Sequence, residues 1–164
     1  MSDWPDWLPA ELNIDDFGGD WKALIEESWK QFEWDFIKSR PMLQDKPVTI
    51  NRRDSDGRPE SYWHVTSETP QIGSERELDT ARCKRVCWIR ALIEHAGDPA
   101  VKAWVMKKGE HDRVHLWLCE EFLVVLGVAS DHFVLVTAFS TPEEHRKAKL
   151  RRQWEEFRKE GDVP

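Results

Sequence analysis

Two arginines in the middle of the chain lie where a helix would bury them. A helical wheel over residues 75–96 places Arg82 and Arg85 inside the apolar stripe that Leu78 and Trp88 help to form. A buried guanidinium group needs an anionic or carbonyl partner, because an unpaired buried charge is costly in free energy. Two partners remain open: an acid of the protein itself, which would lock the helix to a sheet, or a bound phosphate.

His64 is the second residue whose chemistry draws attention. It stands in the run 62–66, whose alternation predicts a strand with Tyr62, His64 and Thr66 on one face. A histidine titrates near neutral pH, which suits a general base that takes the proton of a ribose 2′-hydroxyl group. The alternative is a half-buried histidine that hydrogen-bonds a backbone carbonyl.

Basic and aromatic side chains alternate on one predicted strand, residues 113–119, with Arg113, His115 and Trp117 on the same face. Such a face suits an RNA strand, since the charge holds phosphate and the ring stacks on a base. A solvent-facing sheet surface has a similar pattern. Thr137, in a later apolar strand, either hydrogen-bonds a phosphate oxygen or serves as a β-branched filler.

Three helices are predicted to position these residues. Apolar residues recur at helical spacing from Asp20 to Ser39 and again over residues 75–96. A third helix is predicted to begin with Thr141 as its cap and Pro142 in its first turn, and to run to about residue 159.

Short strands fill the remainder. Val48 and Ile50 are predicted to pair with residues 62–66 as a β-hairpin across the turn-rich residues 54–57. Four later strands with short links predict an antiparallel meander. They span residues 101–106, 113–119, 122–128 and 132–139. The expected fold is therefore α+β, with a meander of about four strands, a hairpin, and long N-terminal, central and C-terminal helices.

The domain organisation follows from the same patterns. Residues 1–18 are predicted to be an irregular acidic arm that packs through Trp4 and Trp7, and residues 19–164 a single α+β domain. The longest apolar runs are far shorter than the ~20 residues that cross a bilayer, so we expect no membrane partner. The N-terminus does not have the pattern of a secretory signal, which predicts a cytoplasmic protein.

Three cysteines do not suggest a disulfide framework. Cys83 and Cys87, four residues apart, have the spacing of one edge of a metal site, but no second Cys or His pair stands at the tight spacing of structural zinc sites. We therefore expect neither a metal nor another cofactor.

The predicted order of elements, with a few particular residues, resembles the phage-type branch of the barnase/EndoU/colicin/RelE-like nucleases. The likeness covers residues 20–158. It rests on the pair Trp63-His64, the arginines Arg76, Arg82 and Arg85, and the strand 135–139. The resemblance implies metal-independent RNA cleavage through a 2′,3′-cyclic phosphate, by a toxin or a phage-encoded effector.

The resemblance also assigns roles to residues of this chain. His64 would be the general base or acid. Arg82 and Arg85 would stabilise the pentacovalent phosphorane, and Thr137 would hydrogen-bond it. The RNA backbone would be steered by two further arginines, Arg76 and Arg113.

The charge of the chain departs from the basic character usual for ribonuclease toxins. The formal net charge is −7, but residues 1–40 hold ten acidic and four basic side chains. The remainder is almost balanced, so an anionic partner such as RNA is not excluded there. The acidic first forty residues could cover the site.

The alternative is a non-catalytic protein-protein interaction module, of the phage-encoded or immunity type, that binds through a tryptophan-rich surface. The chain has ten tryptophans, and Trp4 and Trp7 lie beside prolines in the N-terminal arm. Tryptophan is enriched at protein-protein hot spots, although it also fills cores.

Overall fold

A six-stranded sheet with helices on both of its faces forms the centre of the protein. The computed structural model describes residues 4–67, 79–108 and 111–158. The strands are β1 (Met42–Leu43), β2 (Lys46–Thr49), β3 (Asp54–Ser55), β4 (Arg58–Pro59), β5 (Val101–Lys108), β6 (His111–Leu118), β7 (Phe122–Val128) and β8 (Phe133–Ser140). The helices are α1 (Trp21–Glu33), α2 (Glu60–Thr66), α3 (Thr80–Lys84), α4 (Val86–Glu94) and α5 (Glu144–Phe157).

Strands β5 to β8 pair antiparallel in chain order, which confirms the predicted meander. The sheet is larger than predicted, because β1 and β2 extend it to the order β1-β2-β8-β7-β6-β5. Strand β2 runs parallel to β8 and pairs with Phe133 and Val134. From Leu135 onward, helix α2 lies along this side of β8. The Thr137 hydroxyl of β8 donates a hydrogen bond to the His64 carbonyl oxygen of α2 at 3.1 Å.

The predicted strand over residues 62–66 is wrong, because these residues form helix α2. Ser61, Tyr62, Val65 and Thr66 are all buried, and this i, i+1, i+4, i+5 pattern is helical. The Thr66 hydroxyl donates to the Tyr62 carbonyl oxygen at 2.7 Å within the helix. The predicted long hairpin is wrong as well, since the turn at residues 54–57 instead closes the small separate hairpin β3–β4.

The central helix is divided into α3 and α4. Arg85 interrupts it with φ −103° and ψ 10°, outside the helical range. Helix α3 begins after Asp79, whose side chain accepts the backbone N–H groups of Ala81 and Arg82. The predicted start near Glu75 lies outside the described residues.

The N-terminal helix has the predicted position, but it ends in a π-helical turn over Trp34–Lys38. The last helix starts later than predicted, at Glu144. Thr141 does not cap it, because the buried hydroxyl of this residue accepts the indole N–H of Trp117 at 3.0 Å and donates to the Glu120 carbonyl oxygen at 3.3 Å.

Two apolar cores lie on opposite faces of the sheet. Helices α1, α2 and α4 pack on the face that carries Val114, Leu116 and Val124. Helix α5 packs its buried Leu150 on the other face, which carries Trp117. Alternation along the strands therefore separates two surfaces, as period-two patterning requires.

Residues 4–13 are irregular and lie against α4. The Trp4 ring packs on Trp88 with their centroids 5.0 Å apart, and Trp7 stacks on His95 at 4.2 Å. The Trp88 indole N–H donates to the Pro9 carbonyl oxygen at 2.7 Å. In the described part of the chain, every helix is too short or too polar to cross a membrane.

Candidate functional site

A cleft of about 370 Å³ opens between α5 and the sheet face formed by strands β5 to β8, and we call it the α5 cleft. Its floor is apolar and its rim is polar. The apolar lining residues are Met106, Leu123, Val125, Val136, Phe139 and Leu150, and the polar ones are Arg113, His115, Thr137, Arg146, Lys149 and Gln153. Three of the residues predicted to contact a substrate or a phosphate, Arg113, His115 and Thr137, thus line one cavity.

A β-bulge in β8 shapes the wall of the cleft. Val125 faces Thr137 and Leu126 faces Leu135, so Val136 is the extra residue. A bulge lets two successive residues of one strand oppose a single residue of its partner, which breaks strict alternation. Val136 and Thr137 consequently both line the cleft.

Arg113 extends its guanidinium group across the neighbouring strand. Its Nη1 lies 3.4 Å from the Asp112 carbonyl oxygen, and it passes over Gly127, the cross-strand partner of Arg113. A Cβ atom at Gly127 would stand 3.0 Å from that nitrogen. The glycine therefore leaves the space that the guanidinium group occupies.

The rim of the α5 cleft is cationic. Arg146 lies over the Phe139 ring with its Cζ atom 5.2 Å from the ring centroid. Within residues 4–67, 79–108 and 111–158, no carboxylate is within ion-pair distance of Arg113, Arg146 or Lys149. Three positive charges around one cavity raise the local potential for an anion, although the whole chain is acidic.

His115 is fixed against the floor of the cleft. Its ring stacks on Trp104, the residue opposite it on β5, with ring centroids 5.0 Å apart and an interplanar angle of 13°. Its Nδ1 lies 3.3 Å from the Arg113 carbonyl oxygen. Imidazole is the side chain that enzymes use most often as a general acid or base.

Trp117 does not offer the exposed ring that its position on the strand predicted. It lies on the same face as Arg113 and His115, but α5 covers it and leaves it fully buried. Its Nε1 donates to the Thr141 hydroxyl. The role of Trp117 is therefore structural, and the predicted stacking on a base is corrected.

Arg82 binds the protein's own backbone. Its Nη1 is 3.1 Å from the Ser67 carbonyl oxygen and 3.5 Å from that of His64, both at the C-terminal end of α2. A cation at this end of a helix satisfies carbonyl groups that have no partner within the helix. Arg82 also lies 3.8 Å from Asp79, measured from Nε to Oδ2.

Arg85 has an acidic partner from the N-terminal segment. Its Nη2 is 3.1 Å from Oε1 of Glu11, and its Nη1 donates to the Ser140 hydroxyl at 2.8 Å. The guanidinium group lies over the Trp88 ring, with 4.3 Å from Cζ to the ring centroid. The sequence left two kinds of partner possible for these arginines, an acid of the protein itself or a bound phosphate. In the described structure, both Arg82 and Arg85 have a partner from the protein itself.

His64 lies on α2, on the opposite side of β8 from β7. Its Nε2 is 3.4 Å from Oε2 of Glu60, one turn earlier in the helix, and its side chain is 48% exposed. The His64 backbone carbonyl, rather than its imidazole, meets Arg82 and Thr137. Arg76, also predicted to contact the substrate, lies outside the described residues.

The basic run of the last helix divides into two groups. Lys147 pairs with Glu121 at 2.8 Å, and Arg151 donates to Glu120 at 2.8–2.9 Å. These two cations hold α5 on the turn between β6 and β7, and they leave Arg146 and Lys149 facing the cleft. The sequence carried a signal for this division, since each group has helical spacing of three or four residues.

Glu120 is the centre of this anchor. Besides Arg151, Lys102 donates to its carboxylate. The hydrogen bonds from Arg151, followed by those from Lys102, lower the pKa of Glu120 from 4.5 to about 2. Glu120 and its neighbour Cys119 both have positive φ, as the two central residues of a type I′ hairpin turn do.

Cys83 and Cys87 are both free thiols. Burial raises the pKa of each thiol to about 11. Among the residues that the structure describes, no group of three His, Cys, Asp or Glu side chains stands close enough together to hold a metal ion.

Comparison with known proteins identifies no relative of this chain, so its function has to be inferred from the geometry of the α5 cleft. No protein-family model, curated protein or solved structure matches this chain.

Proposed function

We propose that this protein binds single-stranded RNA in the α5 cleft. The observation that carries the proposal is the set of three cations, Arg113, Arg146 and Lys149, around an apolar floor with no acidic residue in the described lining. A phosphate group would lie against the cations, and the flat face of a base against the floor. The volume of about 370 Å³ is in the range of small-molecule sites and suits one nucleotide.

Single-stranded RNA fits this combination better than a duplex does. An unpaired base can leave its stack and occupy a cavity, whereas a base in an A-form helix cannot. Phosphate neutralisation would supply most of the affinity, so binding should weaken steeply as salt is added.

The experiment measures the affinity for a labelled oligouridylate by fluorescence anisotropy, in EDTA, between about 50 and 200 mM salt. Arg113→Ala and Lys149→Ala should each weaken binding and reduce the slope of log affinity against log salt by about 0.7. Arg152→Ala is the matched control, because this exposed residue of α5 does not line the cleft. Equal losses in Arg152→Ala and Arg113→Ala would reject the cleft as the binding site.

Metal-independent RNA cleavage is a second candidate function, and His115 is the observation that favours it. A general base must reach the ribose 2′-hydroxyl next to the bound phosphate, and His115 lines the same cavity as the cations. Thr137 is available beside it as a hydrogen-bond donor to phosphate, in exchange for its bond to the His64 carbonyl oxygen.

Cleavage is tested by incubation with total RNA in EDTA and analysis of the product ends. If the chain cleaves RNA in the α5 cleft, His115→Ala should abolish 2′,3′-cyclic phosphate products and His64→Ala should retain them. The opposite pattern would move the activity to α2, where the resemblance to nucleases had assigned it. If the wild-type protein binds RNA but does not cleave it, the cleavage proposal is rejected and RNA binding alone is retained.

The protein-protein interaction alternative has weaker geometric support. Trp4 and Trp7 pack against Trp88 and His95 of the same chain, so their rings are already used. The large exposed aromatic side chains of the described residues are instead Trp21 and Trp34.

A further inference from the structure

Strand β5 lies at one end of the six-stranded sheet and has an open edge. The sheet order places β6 on one side of it, and no strand of the described residues pairs with its other side. Such an edge presents a row of unpaired N–H and C=O groups that another strand can bind. We call the open side of residues 101–107 the β5 edge.

The hydrogen bonds at the start of β5 show which of its backbone groups point outward. The Cys119 N–H donates to the Ala100 carbonyl oxygen at 2.9 Å, one step beyond the paired residues Val101 and Leu118. In an antiparallel ladder, successive residues alternate between bonding to the partner strand and facing away from it. Every second residue of β5 therefore directs its backbone groups to the open side, and these residues are Val101, Ala103, Val105 and Lys107.

The two ends of the β5 edge carry opposite charges. At its start, the Val101 N–H donates to the Asp98 carbonyl oxygen at 2.9 Å, so the turn that contains Asp98 lies beside the open side of the strand. The Asp98 carboxylate accepts hydrogen bonds from the Trp7 indole and the Ala100 N–H, but no described cation is within ion-pair distance of it. At the far end, the exposed Lys107 has no acidic partner at that distance within the described part of the chain.

An apolar groove of about 530 Å³ lies beside the β5 edge. Ala103 lines it from β5, whereas Met42 and Leu43 line it from β1, at the opposite end of the sheet order. The sheet therefore curls until its two outer strands border one cavity, to which α4 contributes Ile93. A side chain placed next to Ala103 on this face of the sheet would cover an apolar surface.

We propose that two copies of this chain pair antiparallel through their β5 edges and form one continuous sheet from their two six-stranded sheets. The two-fold axis passes beside Trp104, the middle residue of the edge. In this register, Ala103 of one copy and Val105 of the other exchange both of their backbone hydrogen bonds. The Val105 side chain then lies next to Ala103 at the mouth of the groove. This proposal is independent of RNA binding in the α5 cleft.

The charges of the β5 edge favour a second copy as its occupant. A two-fold axis pairs the same surface of both copies, so each end of one edge meets the opposite end of the other. Lys107 of each copy consequently comes beside Asp98 of the other. Parallel pairing of two copies would instead place Lys107 beside Lys107, and like charges opposite each other destabilise a strand pair.

The test measures the mass of the full chain in solution by analytical ultracentrifugation, between about 1 µM and 1 mM chain and at about 50 mM salt. The average mass should rise with concentration from that of one chain to twice that value. An isotope-filtered NMR spectrum of a mixed-labelled dimer should show contact between the Hα protons of the two Trp104 residues. These residues face each other in a pair without mutual hydrogen bonds, where the Cα atoms are about 4.5 Å apart.

Val105→Pro removes an outward N–H group that β6 does not use. Proline is tolerated on an edge strand where the N–H faces solvent, so we expect a folded monomer, and its thermal transition checks this. The dimer loses two hydrogen bonds and gains two obstructing rings. The affinity between copies should therefore fall by about 100-fold or more.

Lys107→Glu changes the charge of the β5 edge without altering its backbone. It places two acidic groups together at each end of the paired strands, and the affinity between copies should fall by about tenfold at low salt. Addition of Asp98→Lys should restore much of that loss, which a general loss of stability would not do. Lys30→Glu makes the same change at an exposed position of α1 and should dimerise as the wild type does.

Three results would overturn the proposal. The first is the mass of a single chain at every concentration up to about 1 mM, which would mean that Lys107 protects the edge from association. The second is a dimer of Val105→Pro as tight as that of the wild type. The third is equal dimer affinity in Lys107→Glu and Lys30→Glu.

Discussion

The guanidinium group of Arg113 lies over Gly127, the residue opposite it on the next strand. A methyl group at Gly127 would come within 3.0 Å of Arg113 Nη1 and 3.7 Å of a Val136 methyl carbon. Arg113 can therefore point into the α5 cleft because its neighbour Gly127 has no side chain.

Gly127→Ala should weaken RNA binding without removing any charge. The new methyl group displaces the guanidinium group, and we expect a loss of about 0.5–1 kcal/mol in binding free energy, or two- to fivefold in affinity. Anisotropy titration measures it. Gly97→Ala is the matched control, because no described heavy atom lies within 4 Å of a Cβ atom built there. Equal affinities of Gly127→Ala and the wild type would contradict the prediction.

Glu120→Gln should loosen α5. The lowered pKa of Glu120 means that its ionised form stabilises the fold above about pH 4.5, and that this stabilisation is lost as the pH falls toward 2. We expect Glu120→Gln to reduce the free energy of unfolding by about 1–2 kcal/mol at neutral pH.

Urea unfolding across this pH range measures the effect of Glu120. The difference between Glu120→Gln and the wild type should shrink as the solution is acidified. Glu121→Gln, which breaks the single and more exposed pair with Lys147, should cost less. A constant difference at all pH values would mean that the ion pairs are not its cause.

Asp35 is a buried carboxylate in the π-helical turn, and Asp35→Asn should stabilise the protein. Because burial raises the pKa of Asp35 from 3.8 to about 6, its contribution favours folding below about pH 4 and is lost as the pH rises through 6. The shift corresponds to about 2–3 kcal/mol. Chemical unfolding at neutral pH should therefore give a higher free energy for the variant, and the two proteins should converge near pH 4. A destabilised variant at neutral pH would show that the charge of Asp35 has a partner.

Trp117→Phe should lower stability and leave RNA affinity unchanged. The variant loses the indole N–H bond to Thr141, at a cost of about 1 kcal/mol, and a further cost follows from the smaller ring in a packed core. A double-mutant cycle with Thr141→Val isolates the hydrogen bond, and we expect a coupling free energy of about 1 kcal/mol. Additive losses would exclude that bond as a source of stability.

Removal of residues 1–18 should destabilise the fold by about 3–5 kcal/mol, because Trp4 and Trp7 leave the surface of α4. Residues 4–13 of this segment lie against α4, on the opposite face of the sheet from the α5 cleft. At about 200 mM salt, where the charge of the segment is screened, we therefore expect no gain in RNA affinity. Thermal unfolding and anisotropy measure the two effects. A large gain in affinity at that salt concentration would instead support the idea that the acidic segment covers the site.

The meander could be predicted because its signals are local. Strands β5 to β8 are short runs rich in apolar and β-branched residues, joined by short turns, and both properties are visible over a few residues. Helix α2 could not be predicted in this way. Its seven residues contain aromatic and β-branched side chains that also suit a strand, and packing against β8 decides between the two.

The candidate site was predictable in part for a related reason. Strand alternation predicts that Arg113 and His115 share a face, and the structure adds Thr137 through a bulge. The partners of Arg85 could not be predicted, because Glu11 is 74 residues away along the chain. Lys147 and Arg151 hold α5 beside the cleft through Glu121 and Glu120, and a helical pattern does not specify such pairings.

Helix α2 has one further consequence, which concerns association between copies of the chain. Beyond Val134, the described strands leave β8 with an unpaired edge, and an open edge is a template for strand addition by another molecule. Ser61 and His64 of α2 lie along that edge, within 3.5 Å of Leu135 and Thr137. A substitution that unfolds α2 should therefore produce aggregates rich in intermolecular β-structure before the rest of the domain unfolds.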